Sequence, residues 1–254
     1  MSKYNVILTE KLSLPVFDHT ALGVEQLPPM VDMEPHMAPV FDQGQLGSCT
    51  GNAFVGAVEY MENKKNGFTN TDAAFIGLSR LYVYYNERLL EGTVSQDSGA
   101  LISDGLRAIQ NYGVCKETLW PYNISQFTVK PSQDAYTDGE TRKSVDAASL
   151  AITQDAFLTT LAAGYPIVIG MQVFQSMESP EVAQTGMVPL PGPSEQDMGG
   201  HAVLVSGYDM SKQLLKVRNS WGAGWGDNGY FYLPFAYGFQ YGYITDAAVI
   251  RQMQ

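Results

Sequence analysis

The 254 residues are 45% apolar and 11% aromatic, enough for one large domain or two lobes around a real core and too apolar for a disordered chain. A net charge of −11 and an isoelectric point near 4.6 argue against a nucleic-acid backbone as partner, because phosphates reward Lys and Arg, and imply an acidic, water-facing surface. No stretch approaches the roughly 18 apolar residues of a membrane span.

The opening "MSKYNVILTEKLSLPVFDHT" has no unbroken apolar run and no small-residue cleavage site, so no secretory signal is expected. After Cys49, apolar residues at Ala53, Phe54, Ala57, Val58 and Met61 share one helical face, and Gly67 is the expected stop. Residues 72–91 repeat the pattern through Leu78, Leu81, Tyr82, Tyr85 and Leu89, ending at Gly92. A shorter helix is predicted over 102–112, stopping at Gly113, and another over 153–163 behind a capping Thr153. The second half reads as strand: 165–174, 201–209, 213–220 and 229–234 are short, β-branched or aromatic, and bounded by Gly, Pro and Asp. A Pro- and Gly-rich loop, 176–200, separates the first two strands. Helices followed by strands predict an α+β chain in two lobes, with the cleft between them as the place for a site.

Two cysteines make no disulfide framework, and Asn123-Ile124-Ser125 is read as an accidental glycosylation sequon. An intracellular setting, or export without a leader, is the expectation. Cys49 lies in "QGQLGSCTGNA", at the first turn of the predicted helix. A thiolate there feels unpaired N–H groups and the positive end of the helix dipole, which lowers its pKa. Cys115, in "NYGVCKETLW", has no obvious base beside it and reads as a small buried hydrophobe.

A thiolate nucleophile needs a histidine as ion-pair partner and proton donor. Of three histidines, His19 and His36 precede the helical half, while His201 opens a predicted strand directly after Gly199-Gly200. Those glycines leave room for a substrate backbone. Asn219 ends the next strand, so a hairpin would bring its amide to the His201 ring, and Trp221 would cover that hydrogen bond. Gln43 could join the Cys49 backbone N–H as an oxyanion hole. Gly224, Gly226 and Gly229 spell G-x-G-x-x-G, with Asp246 further on, but a strand follows them where a dinucleotide site needs a helix. The scattered histidines give no zinc motif, and no metal or other cofactor is expected.

Together these residues resemble the papain/cathepsin family of cysteine peptidases. The family's Q-G-x-C-G-S-C-W-A-F stands here as Gln43-Gly44-Gln45-Leu46-Gly47-Ser48-Cys49-Thr50, with Ala53-Phe54 following. Its histidine element stands as Gly199-Gly200-His201-Ala202-Val203, and its asparagine element as Asn219-Ser220-Trp221-Gly222, continuing through Trp225-Gly226 and Gly229-Tyr230. "LPPMVDMEP" (27–35), "DSGA" (97–100) and "YGV…WPY" (112–122) match in the right order. The resemblance spans about residues 27–250 and is closest in character to the family's disulfide-free bacterial and viral branch.

The resemblance implies a papain-like two-lobe fold: a helical lobe over about 27–140, a β lobe with an antiparallel sheet or barrel over about 141–254, and the cleft between them. It implies Cys49 as nucleophile, His201 as general acid/base, Asn219 as its orienter and Gln43 as oxyanion donor. The Gly99 and Ala100 backbone and Gly200 would meet an extended polypeptide, and Trp221 would flank the leaving group. Leu101, Ile102 and Gly170 would line an apolar pocket for the second residue before the scissile bond. The expected activity is hydrolysis through a Cys49 thioester by a monomer, with acyl transfer or peptide ligation as an alternative outcome and a non-catalytic binding module as another. The partner is a polypeptide, not a nucleic acid or a membrane.

Three departures carry expectations. Leu46 stands where relatives have a disulfide cysteine, so packing alone is expected to hold the nucleophile loop. Thr50 replaces the tryptophan after the nucleophile and reads as lost packing. Residues 1–26 form a short leader, too small for an inhibitory domain but able to lie across the cleft as a latch or to add a strand to the β lobe. The 176–200 loop is long enough to overhang the cleft; it has no histidine to grip a chain end, which favours an endopeptidase.

Overall fold

The computed structural model describes residues 6, 15–69, 75 and 77–253. In chain order its regular elements are β1 (Met30–Asp32), α1 (Cys49–Asn66), α2 (Arg80–Glu91), α3 (Ile102–Tyr112), α4 (Gln133–Gly139), β2 (Ser144–Ser149), α5 (Gln154–Ala162), β3 (Ile167–Phe174), α6 (Pro180–Thr185), β4 (Asp197–Asp209), β5 (Leu214–Arg218), β6 (Tyr230–Pro234), α7 (Phe235–Phe239) and β7 (Ile244–Met253).

All seven strands belong to one antiparallel sheet, ordered β2-β7-β3-β4-β5-β6, with β1 pairing β4. The sheet is open, not closed into a barrel. Its two outer strands are both covered, which blunts edges that would otherwise template aggregation. On β2, Ser149 exchanges backbone hydrogen bonds with Pro15 and Phe17. On β6, Tyr232 exchanges them with Gly186 and Val188.

α1 begins at the nucleophile candidate and is capped at its far end by Gly67 in the left-handed conformation, φ +69°. The periodicity predicts one buried face, yet every residue from Cys49 to Tyr60 is buried. The reason is position: α1 runs between the helices and the sheet. Gly51 lets α2 close in, since a Cβ there would meet Arg80 O at 2.8 Å, and Gly56 does the same for Arg218 and Leu204 of the sheet. These two glycines replace side chains that would hold the layers apart.

α2 starts at Arg80, later than the predicted 72–91. Residues 70–74 and 76 lie outside the described residues. Leu78 is buried as the pattern suggests, but its N–H donates to Glu59 Oε1 (2.9 Å), and Ser79 then caps the helix through Tyr82 N–H. α3 and α5 fall where the spacing places them, and Thr153 caps α5 through Ala156 N–H. β4 starts at Asp197, so Gly199, Gly200 and His201 sit inside a long strand; His201 does not open it.

Among the described residues, no helix is long and apolar enough to cross a membrane.

Candidate active site

Cys49 is the first residue of α1 and is fully buried. The loop before it is tied down at several points. Leu46, also fully buried, packs with Leu81 and Tyr84. Packing is not alone, contrary to expectation. The Asp97 carboxylate accepts from Gly47 N–H (3.0 Å) and from Tyr84 Oη (2.6 Å). Tyr122 Oη donates to Gln43 O (2.9 Å) and meets Ser48 Oγ at 2.6 Å. Where relatives carry a disulfide, this loop has an apolar plug and a carboxylate clamp.

Gln43 is fully buried and joins the loop to the sheet. Its backbone N–H donates to Ser220 O (2.8 Å), and its side-chain oxygen accepts from Ser220 Oγ. One side-chain N–H goes to Leu46 O (3.0 Å), which orients the amide. Asp42 and Trp221 bridge alongside. The stretch carrying Gln43 is thus stitched to the stretch carrying Asn219.

His201 is fully buried on β4, and its Nε2 lies 2.9 Å from Asn219 Oδ1. An amide oxygen only accepts, so Nε2 carries the proton in this bond and Nδ1 is the nitrogen left to exchange one. Asn219 follows β5 directly, and β5 pairs β4 with Leu204 opposite Arg218, the hairpin that the sequence implies. Asn219 is held in turn: its Oδ1 accepts Ser220 N–H and its own N–H donates to Gly229 O. Trp221 stacks on the imidazole, ring centres 5.0 Å apart and planes 20° apart, with Trp225 edge-on behind it. The hydrogen bond between ring and amide is shielded from water, where it is stronger.

The cleft wall differs in detail from expectation. Gly99, at φ +73°, already spends its backbone: its N–H donates to Tyr84 Oη (3.1 Å) and its carbonyl accepts from Ser98 Oγ. Backbone pairing with a substrate therefore falls to Ala100. Leu101 and Ile102 are buried at the start of α3, and the Leu101 N–H is fixed by Glu91 Oε1 (2.9 Å). Gly170 faces Ile102 as implied, yet the space beside it has a second neighbour. Asp246 lies opposite Gly170 in the β3–β7 register, and its Oδ2 is 3.4 Å from where a Gly170 Cβ would stand. Asp246 stands out in sequence only as the acid beyond the false dinucleotide fingerprint. Its cross-strand pairing shows only once β7 is recognised as a strand.

The other groups of interest divide cleanly. Cys115 is buried, and burial pushes its thiol up to about 12, so it is inert. His19 contacts Asp155, and His36 Nδ1 contacts Phe68 O, both remote in sequence from the cleft residues. Gly200 O accepts the backbone N–H of Val6 (3.2 Å), and Val6 itself is buried.

The 176–200 loop does not hang loose. Gly226 N–H donates to Ala183 O, and Gly186 and Val188 pair with Tyr232 of β6, which draws the loop onto the outer strand of the sheet.

A helix-borne thiol, a histidine oriented by a shielded amide, and an open sheet packed against helices define a thiol hydrolase of the two-lobed kind. The papain family cysteine protease domain matches residues 27–249, and the chain belongs to that family. It is a papain-like thiol protease. The chain is 38% identical to an uncharacterized peptidase C1-like protein of Acanthamoeba polyphaga mimivirus, over 97% of this chain and 80% of that one. It is 28% identical to cysteine proteinase 3 of Entamoeba histolytica, over 83% of this chain and 64% of the relative. Among solved structures it is similar to xylellain, a cysteine protease from Xylella fastidiosa, with a TM-score of 0.87, 32% identity, and coverage of 100% and 98% of the two chains.

Proposed function

We propose that the protein is an endopeptidase that cuts polypeptides through a Cys49 thioester. Cys49 Sγ attacks the scissile carbonyl. The Gln43 side-chain N–H and the Cys49 backbone N–H receive the oxyanion. His201, protonated on both nitrogens in the ion pair, gives the Nδ1 proton to the leaving amine. The neutral ring then takes a proton from water, hydroxide adds to the thioester, and loss of the thiolate restores the ion pair. Asn219 keeps the imidazole in one orientation, and Trp221 keeps water from that bond.

The observation that carries this reading is the buried His201–Asn219 bond at 2.9 Å under the Trp221 ring, tied through Ser220 to Gln43. Such an arrangement has little purpose without a nucleophile to serve. Endopeptidase action is supported by the attachment of the 176–200 loop to β6, away from a role as a cap on chain ends. In the pocket, Ile102 gives an apolar wall and Asp246 a carboxylate. We infer that it takes apolar side chains and also a basic one, whose cation would meet Asp246 while its stem lies on Ile102.

The test uses peptides blocked at both ends. The intact protein cleaves them at internal bonds, a thiol-directed epoxide labels Cys49, and Cys49→Ala stops both. Full activity in Cys49→Ala overturns the mechanism. Cleavage confined to peptides with free ends overturns the endopeptidase assignment. Added amine reveals any acyl transfer as a new amide product.

A further inference from the structure

Thr50, next to the nucleophile, is fully buried, and its Oγ1 donates to Glu87 Oε2 at 2.6 Å. Glu87 is itself fully buried on α2. Its other oxygen has no hydrogen-bond partner among the described residues, and a Cβ on Gly105 of α3 would stand 2.9 Å from it. The carboxyl is thus wedged between the first turn of α1 and the helix that begins at the cleft wall. Glu91, one turn along α2, takes the Leu101 N–H of that wall.

We propose that Glu87 is a positioning residue for the nucleophile, gripping the first turn of α1 through Thr50 and so fixing Cys49 against the cleft wall. The inference rests on Cys49 being the nucleophile. It also changes the reading of Thr50. A tryptophan there would hold the helix by packing; here a hydroxyl holds it by a buried hydrogen bond.

The groups facing Glu87 make the grip uncharged at moderate pH. Burial, with Glu91 of α2 and Asp104 of α3 adding repulsion, pushes its carboxyl up to about 8, against the hydrogen bond from Thr50 of α1 and the charge of Arg88. Arg88 does not neutralise it, because its guanidinium donates to the carbonyls of Tyr84, Val94, Gln96 and Phe127. A neutral acid can anchor the turn without placing a negative charge near a thiolate, which an ionised one would oppose. Above its titration the site gains that opposing charge and should lose activity.

The experiment measures kcat and KM on a blocked peptide from about pH 5 to 9, across which such groups report. Thr50→Val, Thr50→Ser and Glu87→Gln are compared with the intact protein. Thr50→Val should lower kcat about tenfold, the worth of one hydrogen bond, with KM within about twofold. Thr50→Ser, which keeps the hydroxyl, should restore most of kcat. Glu87→Gln keeps an acceptor and cannot ionise, so it should work near pH 6 and hold its rate above pH 8 where the wild type declines. Wild-type kcat in Thr50→Val, an equally impaired Thr50→Ser, or a Glu87→Gln variant that declines with the wild type each overturns the proposal. Activity in Cys49→Ala would instead overturn the nucleophile assignment on which it rests.

Discussion

Glu59 sits on α1, fully buried, with Oε1 bonded to Leu78 N–H and Oε2 without a partner among the described residues. Burial raises its carboxyl from the ordinary 4.5 to about 7, against the pull of Arg218 and Arg80. Replacing it with glutamine keeps an acceptor for Leu78 and removes the titration. The native state binds this proton more tightly than the unfolded chain, so stability falls as pH rises between the two values and is flat beyond them. Across about 2.5 units at roughly 1.4 kcal/mol each, the wild type gives up on the order of 3 kcal/mol that Glu59→Gln does not. Urea unfolding of both proteins at several pH values from about 4 to 8 reads this directly, and taking the difference between them cancels every other titrating group, Glu87 included. The variant should gain on the wild type by about 3 kcal/mol over that range, with unchanged m-values. Parallel pH curves would show that Glu59 is ionised in the fold or that Arg218 compensates it fully, and would refute the reasoning.

Three further outcomes are expected. Asp246→Asn should cost about tenfold or more in kcat/KM for a substrate with arginine before the P1 residue and little for one with leucine there, since it removes one charge-assisted contact; equal losses would remove Asp246 from the pocket. Deleting residues 1–14 releases the Gly200 carbonyl from Val6 and keeps Pro15–Phe17 on β2, so kcat/KM and epoxide labelling should both rise, and no rise in either excludes the leader as a latch. Asp97→Ala strips Gly47 and Tyr84 of their acceptor and should destabilise the protein by about 1–3 kcal/mol in urea unfolding, while a thiol reductant leaves the wild type active; loss of activity in reductant would mean that something other than these contacts holds the loop.

Much of the fold is legible in the chain because the elements with strong local signals are the ones that form. α1, α3 and α5 announce themselves by period and by their caps at Gly67, Gly113 and Thr153. β3 to β6 announce themselves by aliphatic and aromatic runs. β7 does not: Ala247 and Ala248 have weak strand preference, and Asp246 and Arg251 break the apolar run, so its place between β2 and β3 is set by tertiary pairing alone. β1 is three residues long and forms only against β4. The start of α2 is a related case, in which Leu78 fits the helical pattern but is captured by Glu59 from another helix.

The reacting groups are legible for a different reason. Covalent catalysis restricts which residue types can serve, so Gln43, Cys49, His201 and Asn219 stand out even when far apart in the chain. Their supports are under no such restriction. Asp97 clamps Gly47 across 50 positions, and Glu87 holds Thr50 across 37. Any acceptor of the right length could do either task, and neither acid has a motif to mark it. Leu46 and Thr50 look in sequence like losses, a missing disulfide and a missing tryptophan. In the fold each sits beside a carboxyl group that takes over the holding. A departure from a family's pattern next to a nucleophile is therefore better read as a search instruction than as a deletion: some residue elsewhere must carry the load, and the first place to look is among buried acids with no cation to pair.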